Sequence, residues 1–259
     1  MAYLESIHLH PIKSLDPVTV EETKILPGGA LEHDREFALF GPDGTWIRGK
    51  NNPSVHLLRT TFNRTFNEIT ILAEGETHGK SFPLGDSCRE LEAWLSGYFG
   101  FPVSVRRNTT NGFPDDAAAW GPTIVSTASL EEVSRWFHLP DADETRRRFR
   151  PNLVIGGTPP FWEDCLFDEK ESVVRFSIGA AQLEGVNPCQ RCVVPTRNPE
   201  SGEAIGNFQN EFSTMREATL PSWAKRSRFN HFYRMCVNTR MQPAEAGKSI
   251  HVGDEVVLT

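Results

Sequence analysis

Short stretches in which apolar and polar residues alternate recur along this chain, each closed by turn residues, and they restrict it to folds built largely from strands. Ile7 and Leu9, then Val18 and Val20, alternate with polar neighbours, the period of a strand with one buried face. Phe37-Ala38-Leu39-Phe40, the turn Gly41-Pro42-Asp43-Gly44 and Thr45-Trp46-Ile47 predict a hairpin. Residues 55–62 and 69–72 are further candidate strands. The pattern returns at 153–155, 173–176, 182–186 and 250–258. Helical spacing is rarer. Leu91, Trp94, Leu95 and Tyr98 fall at i, i+3, i+4 and i+7 behind a cap at Asp86 or Ser87. A second helix is expected to open near Ser129, which stands in capping-box spacing to Glu132 and is followed by Leu130, Val133 and Phe137. Between the two helices, residues 108–121 read as a linker or functional loop. Many short strands with few helices predict an α+β, mainly β, barrel-like fold and not a doubly wound sheet. No Gly-x-Gly-x-x-Gly or Walker loop is present to support a nucleotide cofactor.

At 259 residues the chain can form one large domain or two modest ones, with 17 Phe and six Trp to fill a core. Trp94 and Trp136, at helical spacing with other apolar side chains, are read as core. The formal net charge of −7 argues against general nucleic-acid binding, though a basic cleft could hide inside that total. No apolar run is long enough for a membrane-spanning helix, and residues 1–6 lack the basic and apolar regions of a signal peptide. Five cysteines, an odd number, do not suit a disulfide framework and lead to the expectation of a reducing, cytoplasmic setting.

Chemistry concentrates in a few places. Cys189 and Cys192, three apart with Arg191 between them, could bind a soft metal, cycle as a dithiol, or be packed thiols. With His231 and Cys236 they could also make a zinc tetrad, and a redox dithiol would need a helix opening that Val193-Val194-Pro195 does not provide. Lys13 with Ser14, and Arg35, are the donors a phosphate requires, although surface ion pairs would look the same. Arg146, Arg147 and Arg148 read as a solvated helix face paired with Asp141, Asp143 and Glu144. Arg150 differs in standing at a strand edge. Cys88 and Cys165 read as packed thiols, and His33, His56, His78 and His138 as surface or satisfied residues.

Taken in order, Pro11-Ile12-Lys13-Ser14, Asp34-Arg35-Glu36, Ser129-Leu130, residues 148–155 (Arg-Phe-Arg-Pro-Asn-Leu-Val-Ile), Cys189-Gln190-Arg191-Cys192, residues 198–202 (Asn-Pro-Glu-Ser-Gly) and Val252-Gly253-Asp254 resemble the MOSC family. The likeness is to the branch with an N-terminal MOSC β-barrel region, which includes the mitochondrial amidoxime-reducing component and its bacterial relatives. It implies an N-terminal MOSC β-barrel region over 1–112 and a MOSC domain over 113–259. It also implies a molybdenum–molybdopterin cofactor whose metal takes the Cys192 thiolate, a soft ligand suited to it. Cys189 becomes a structural neighbour, and Gln190 and Arg191 line the cofactor. Lys13, Ser14 and Arg35 match the residues that hold its phosphate, and Arg150 and Asn152 those beside its pterin. The implied reaction is reduction of small N-hydroxylated or N-oxide compounds. Electrons would come from a separate haem, flavin or iron–sulfur protein, since no iron–sulfur domain follows within these 259 residues. Asp115 and Asp116 are candidate proton donors, with a solvated loop as their plainer reading.

Two departures stand out. Where the family has Asp-Thr-Ser, this chain reads Asp115-Asp116-Ala117-Ala118-Ala119, and a family tyrosine facing the cofactor aligns with Phe232. They motivate an alternative, a molybdopterin carrier or sulfur-handling module without reductase activity.

Overall fold

The computed structural model describes residues 1–116 and 118–259. In chain order the first half holds β1 (Tyr3–Leu9), β2 (Val18–Val20), β3 (Glu22–Lys24), β4 (Phe37–Phe40), β5 (Leu58–Phe62), β6 (Glu68–Ala73), β7 (Lys80–Pro83), α1 (Arg89–Phe99) and β8 (Ser104–Arg107). The second half holds β9 (Thr123–Ser126), α2 (Thr127–Trp136), α3 (Ala142–Phe149), β10 (Leu153–Gly156), β11 (Val174–Ile178), β12 (Ala181–Gln190), α4 (Phe208–Ala218), β13 (Arg234–Arg240), β14 (Ser249–His251) and β15 (Val256–Leu258). Strand dominates, as the alternation predicts.

The largest sheet runs β15-β11-β12-β13-β9-β10-β1-β2. Its pairs are antiparallel except β9 with β10, which are parallel and joined by the crossover through α2 and α3. The sheet curls until β15 meets the start of β1. Leu4 N–H donates to Asp254 O at 2.8 Å and Val256 N–H to Ala2 O at 3.0 Å, which closes it into a barrel. Inside lie Leu4, Ile7, Ile124, Leu153, Phe176 and Val237, all fully buried. Gly185 of β12 must lack a side chain, because a Cβ there would stand 1.6 Å from Leu166 O. β12 also carries irregularities against β13, between Gly185 and Asn187 and between Pro188 and Gln190. Such bulges let a proline sit in a strand and re-aim the residues that follow.

A second apolar core lies in the first half, where α1 packs Leu91 and Leu95 against Leu58, Ile69 and Ile71 of the β5-β6-β7 sheet. β4 pairs with β8, and β3 with β14. A third core covers the barrel's outer face, where Val125 and Val154 meet Leu130, Val133, Phe149, Phe208 and Phe212 of the helices. Among the described residues no helix is long and apolar enough to cross a membrane.

Several elements differ from the sequence reading. The turn at 41–44 forms, but β4 finds its ladder in β8, and only a single bridge links Phe40 to Trp46. Residues 53–57 form a 3-10 turn, because Pro53 follows Asn52, whose side chain accepts from Ser54 N–H at 3.1 Å. α2 starts before Ser129: Ser126 is its cap, accepting from Ser129 N–H at 3.2 Å. Residues 250–258 divide into β14 and β15.

Candidate functional site

Seven of the eight residues singled out by sequence line one cavity of about 1230 Å³: Lys13, Ser14, Arg35, Arg150, Gln190, Arg191 and Cys192. Segments far apart in sequence meet there, namely the turn after β1, the 34–36 corner, residues 114–116 and 119–121, the C-terminus of α3 and the end of β12. Ser14, Arg35 and Arg150 all have left-handed backbone, with φ of 78°, 50° and 53°. Each such non-glycine residue costs on the order of 1 kcal/mol, so the surroundings must hold it in place.

The eighth residue, Asn152, stands behind the wall, bonded to Arg35. It is buried, and its Oδ1 accepts from Arg35 Nη1 at 3.1 Å and from Thr123 N–H at 3.2 Å, while its Nδ2 donates to His8 O at 3.0 Å. Arg35 also pairs with Asp34, whose Oδ1 accepts from His10 N–H at 2.9 Å. Burial alone would raise the Asp34 carboxyl, but Arg35 and His10 hold it well below the usual carboxylate range. Lys13 is 4% exposed and donates from Nζ to Phe113 O at 2.8 Å. The same ammonium lies 4.0 Å from the Trp46 ring centroid and 2.6 Å from Asp115 Oδ1. Burial lowers its pKa to about 8, against the opposing pull of Asp115. Arg150 caps α3 and donates to Leu15 O at 2.7 Å. The result is a seat of preoriented cations, as a phosphate requires.

The thiols separate by environment. Cys189 ends β12 half-buried, and its sulfur accepts from Arg191 Nη1 at 3.0 Å. Arg191 also donates to Phe149 O and lies over the Phe149 ring, so it is committed to its neighbours. Cys192 is exposed to the cavity, and its sulfur meets only Val194 N–H, at 3.5 Å. Cys236 is buried across the bulge with φ of 68°, and burial pushes its thiol up. Among the described residues no group of three or more His, Cys, Asp or Glu could hold a metal ion. That overturns the zinc tetrad of Cys189, Cys192, His231 and Cys236. Residues after Cys192 form a 3-10 turn, Val194–Thr196, and not the start of a strand, because Pro195 favours the turn's first positions.

The cavity wall holds 13 Lys and Arg side chains against four Asp, in a chain whose net charge is −7. The basic cleft is therefore real and invisible in the total. Arg146 pairs with Asp143 as expected, but Arg147 reaches Glu200, and Arg148 is 3% exposed. Arg148 bonds Glu144 and donates to Pro195 O at 3.2 Å, which anchors the turn after Cys192. Lys13 and Arg35 lower the exposed Asp115 carboxyl, so Asp115 is a counter-ion and not a ready proton donor. Asp116 accepts from Asn238 Nδ2 at 3.2 Å. Ala117 lies outside the described residues, while Ala119 lines the cavity. Phe232 stacks on Phe229 with 5.6 Å between centroids, and the next residue, Tyr233, is buried with its hydroxyl unpartnered. Arg48 and Arg197, unmarked in the sequence, and His56, expected to be a surface or satisfied residue, also line the cavity.

The chain matches the MOSC N-terminal beta barrel domain over residues 1–139 and the MOSC domain over residues 116–257. A molybdenum cofactor sulfurase of Caenorhabditis briggsae is 26% identical over 216 residues, covering 74% of this chain and 29% of that protein. One from Oryza sativa subsp. japonica is 22% identical, covering 78% of this chain and 29% of that protein. Mitochondrial amidoxime-reducing component 1 of Xenopus laevis is 23% identical over 260 residues, covering 81% of this chain and 72% of that protein. The chain thus spans 29% of each of these two sulfurases.

Proposed function

The chain belongs to the MOSC family, and from that premise we propose that it binds the molybdenum–molybdopterin cofactor through Cys192 and reduces small N-hydroxylated or N-oxide compounds. One observation carries this reading: an exposed, uncommitted thiol shares a cavity with a built phosphate seat. The residues present fit the group. Lys13, Ser14 and Arg35 would hold its phosphate, Asn152 would aim Arg35, and Arg150, Gln190 and Arg191 would line the pterin. The soft Cys192 thiolate would complete the metal's sulfur ligands.

When bound, the cofactor supplies two-electron oxygen-atom chemistry, so that an N–OH group, two electrons and two protons give N–H and water. The chain's own part is to bind and orient. Arg191 and Arg148 fix the loop that carries Cys192, and the cations neutralise the phosphate. The open cavity leaves solvent as the proton source, because Asp115 is held ionised by Lys13. A separate haem, flavin or iron–sulfur protein donates the electrons. The test is benzamidoxime turnover with an artificial donor, using protein from a host that makes the cofactor. Turnover is expected. Full cofactor loading without turnover would favour the second reading, a carrier or sulfur-handling module, which the sulfurase relatives support.

A further inference from the structure

β12 runs on past the end of β11, which stops at Val174, opposite Gly185. Beyond that point two arginines take its carbonyls. Arg228 Nη2 donates to Val186 O at 3.0 Å, and Arg234 Nη1 donates to Pro188 O at 2.7 Å. Carbonyls two residues apart on a strand lie within about 7 Å of each other, so the two guanidinium groups are neighbours. Each is fixed a second time. Arg228 also donates to Asp168 O, and Arg234 donates from Nη2 to Asn230 Oδ1 at 2.7 Å. Arg228, Asn230 and Arg234 all line the cavity, together with Pro188 and Cys189.

This corner is separate from the phosphate seat. The charges that act on Lys13 are Asp115, Arg35 and Arg48, and those that act on Arg35 are Asp34, Asp115 and Arg191. Those that act on Arg234 are Cys189 and Arg228. Burial lowers the Arg234 pKa, and Arg228 adds to that against the opposing pull of Cys189. Burial and then Arg234 lower the pKa of the nearby His231, so like charges crowd here. The Asp168 carboxylate feels Arg228 but is paired with Lys225 at 3.3 Å. The cavity of about 1230 Å³ exceeds the roughly 300–1,000 Å³ of a single small-ligand site, which leaves room for a second occupant beside the cofactor.

We propose that Arg228 and Arg234 form an anion subsite for substrate, which takes the carboxylate of an N-hydroxylated organic acid. Neighbouring guanidinium forks offer charge-assisted donors to both oxygens of a planar carboxylate. What sets this pair apart from single cations elsewhere in the wall is its common mounting on β12. Cys189, which acts on Arg234, lies three residues before Cys192, so the subsite opens on the loop that carries the ligand thiol. That the acid belongs to an N-hydroxylated compound rests on the proposed function; the subsite itself does not.

The test begins with benzoate and its neutral counterpart benzamide, titrated into wild type, Arg228→Gln and Lys13→Gln and followed by ligand-observed NMR. Benzoate should bind wild type roughly tenfold tighter than benzamide, as one charge-assisted hydrogen bond allows. Arg228→Gln should remove that preference and Lys13→Gln should keep it. Where glutamine unfolds the corner, Arg228→Lys should show a partial loss, because an ammonium cannot hold two carbonyls and the anion at once. A preference that is absent, that survives Arg228→Gln, or that Lys13→Gln also removes overturns the subsite. On loaded protein, 4-carboxybenzamidoxime should then show a KM about tenfold below that of neutral benzamidoxime, and Arg228→Gln should abolish the difference. Equal KM values would overturn the assignment to substrate. Loaded protein that turns over neither amidoxime sinks the reductase reading, while the benzoate titration still judges the subsite.

Discussion

Asn152→Ala should damage both the fold and the phosphate seat, although Asn152 does not line the cavity. The side chain accepts from Arg35 Nη1, Thr123 N–H and Thr123 Oγ1, at 3.1, 3.2 and 3.3 Å, and donates to His8 O at 3.0 Å. Truncation removes all four bonds, one of them charge-assisted, and strands the Thr123 amide inside the protein. At about 1 kcal/mol for each net hydrogen bond, with more for the charged one, the loss is roughly 3–5 kcal/mol. In a chain of this size that lowers Tm by about 6–15 °C. Freed from Asn152, Arg35 keeps Asp34 but loses its aim, so cofactor retention should fall about tenfold or more. Thermal unfolding and molybdenum content on the same preparation check both parts. Asn152→Asp, which keeps the acceptor, should unfold above Asn152→Ala. A Tm within about 1 °C of wild type, with undiminished loading, would refute the claim that this asparagine positions Arg35.

Other consequences follow from single groups. With Lys13 near 8, the anion seat is fully charged below that value and loses its ammonium as pH rises through it. Sulfate, whose charge is constant over this range, should bind more weakly from pH 7 to 9.5 by calorimetry, and a flat profile would contradict the assignment. Cys189→Ser removes an Arg191 contact and should leave most of the cofactor in place, whereas equal loss in Cys189→Ser and Cys192→Ser would argue for a dithiol. Glu163 is buried against Ser126, Ser129 and Asp164, and burial followed by Asp164 raises its pKa to about 7. Its folded value lies above the unfolded one, so its contribution to stability is full below about 4.5 and is lost as pH rises through 7. Glu163→Gln should therefore stabilise at pH 8 by up to about 3 kcal/mol, seen in urea titrations, and the gain should vanish near pH 4.5.

The β character was legible, and so were seven residues that meet in one cavity, because both depend on local signals. Alternation marks a half-buried strand, and Lys13, Arg35 and Arg150 stand in short runs that carry their own chemistry. Pairing was not legible, since the turn at 41–44 says nothing of β8, which lies some sixty residues on. β13 was also hidden. Its sequence, Arg234 to Arg240, mixes polar and apolar residues that are nearly all buried, so no alternation survives. The α4 stripe of Phe208 and Phe212 lay between stronger signals. Arg48, His56 and Arg197 carry no pattern of their own. They reach the cavity only because the fold brings distant segments to one wall. Asn152, expected beside the cofactor, lies behind the cavity wall and accepts from Arg35, a placement that only the hydrogen bonds can draw.

The central claim is that Cys192 supplies the metal's protein ligand while the remaining motif residues hold the cofactor's phosphate and pterin. Molybdenum per chain, measured for wild type and Cys192→Ser purified from the same cofactor-producing host, tests it most directly. About one molybdenum per chain is expected in wild type and less than roughly a tenth of that in the variant, with Tm unchanged within about 2 °C. Zinc in place of molybdenum, or equal molybdenum in the two proteins, would contradict it.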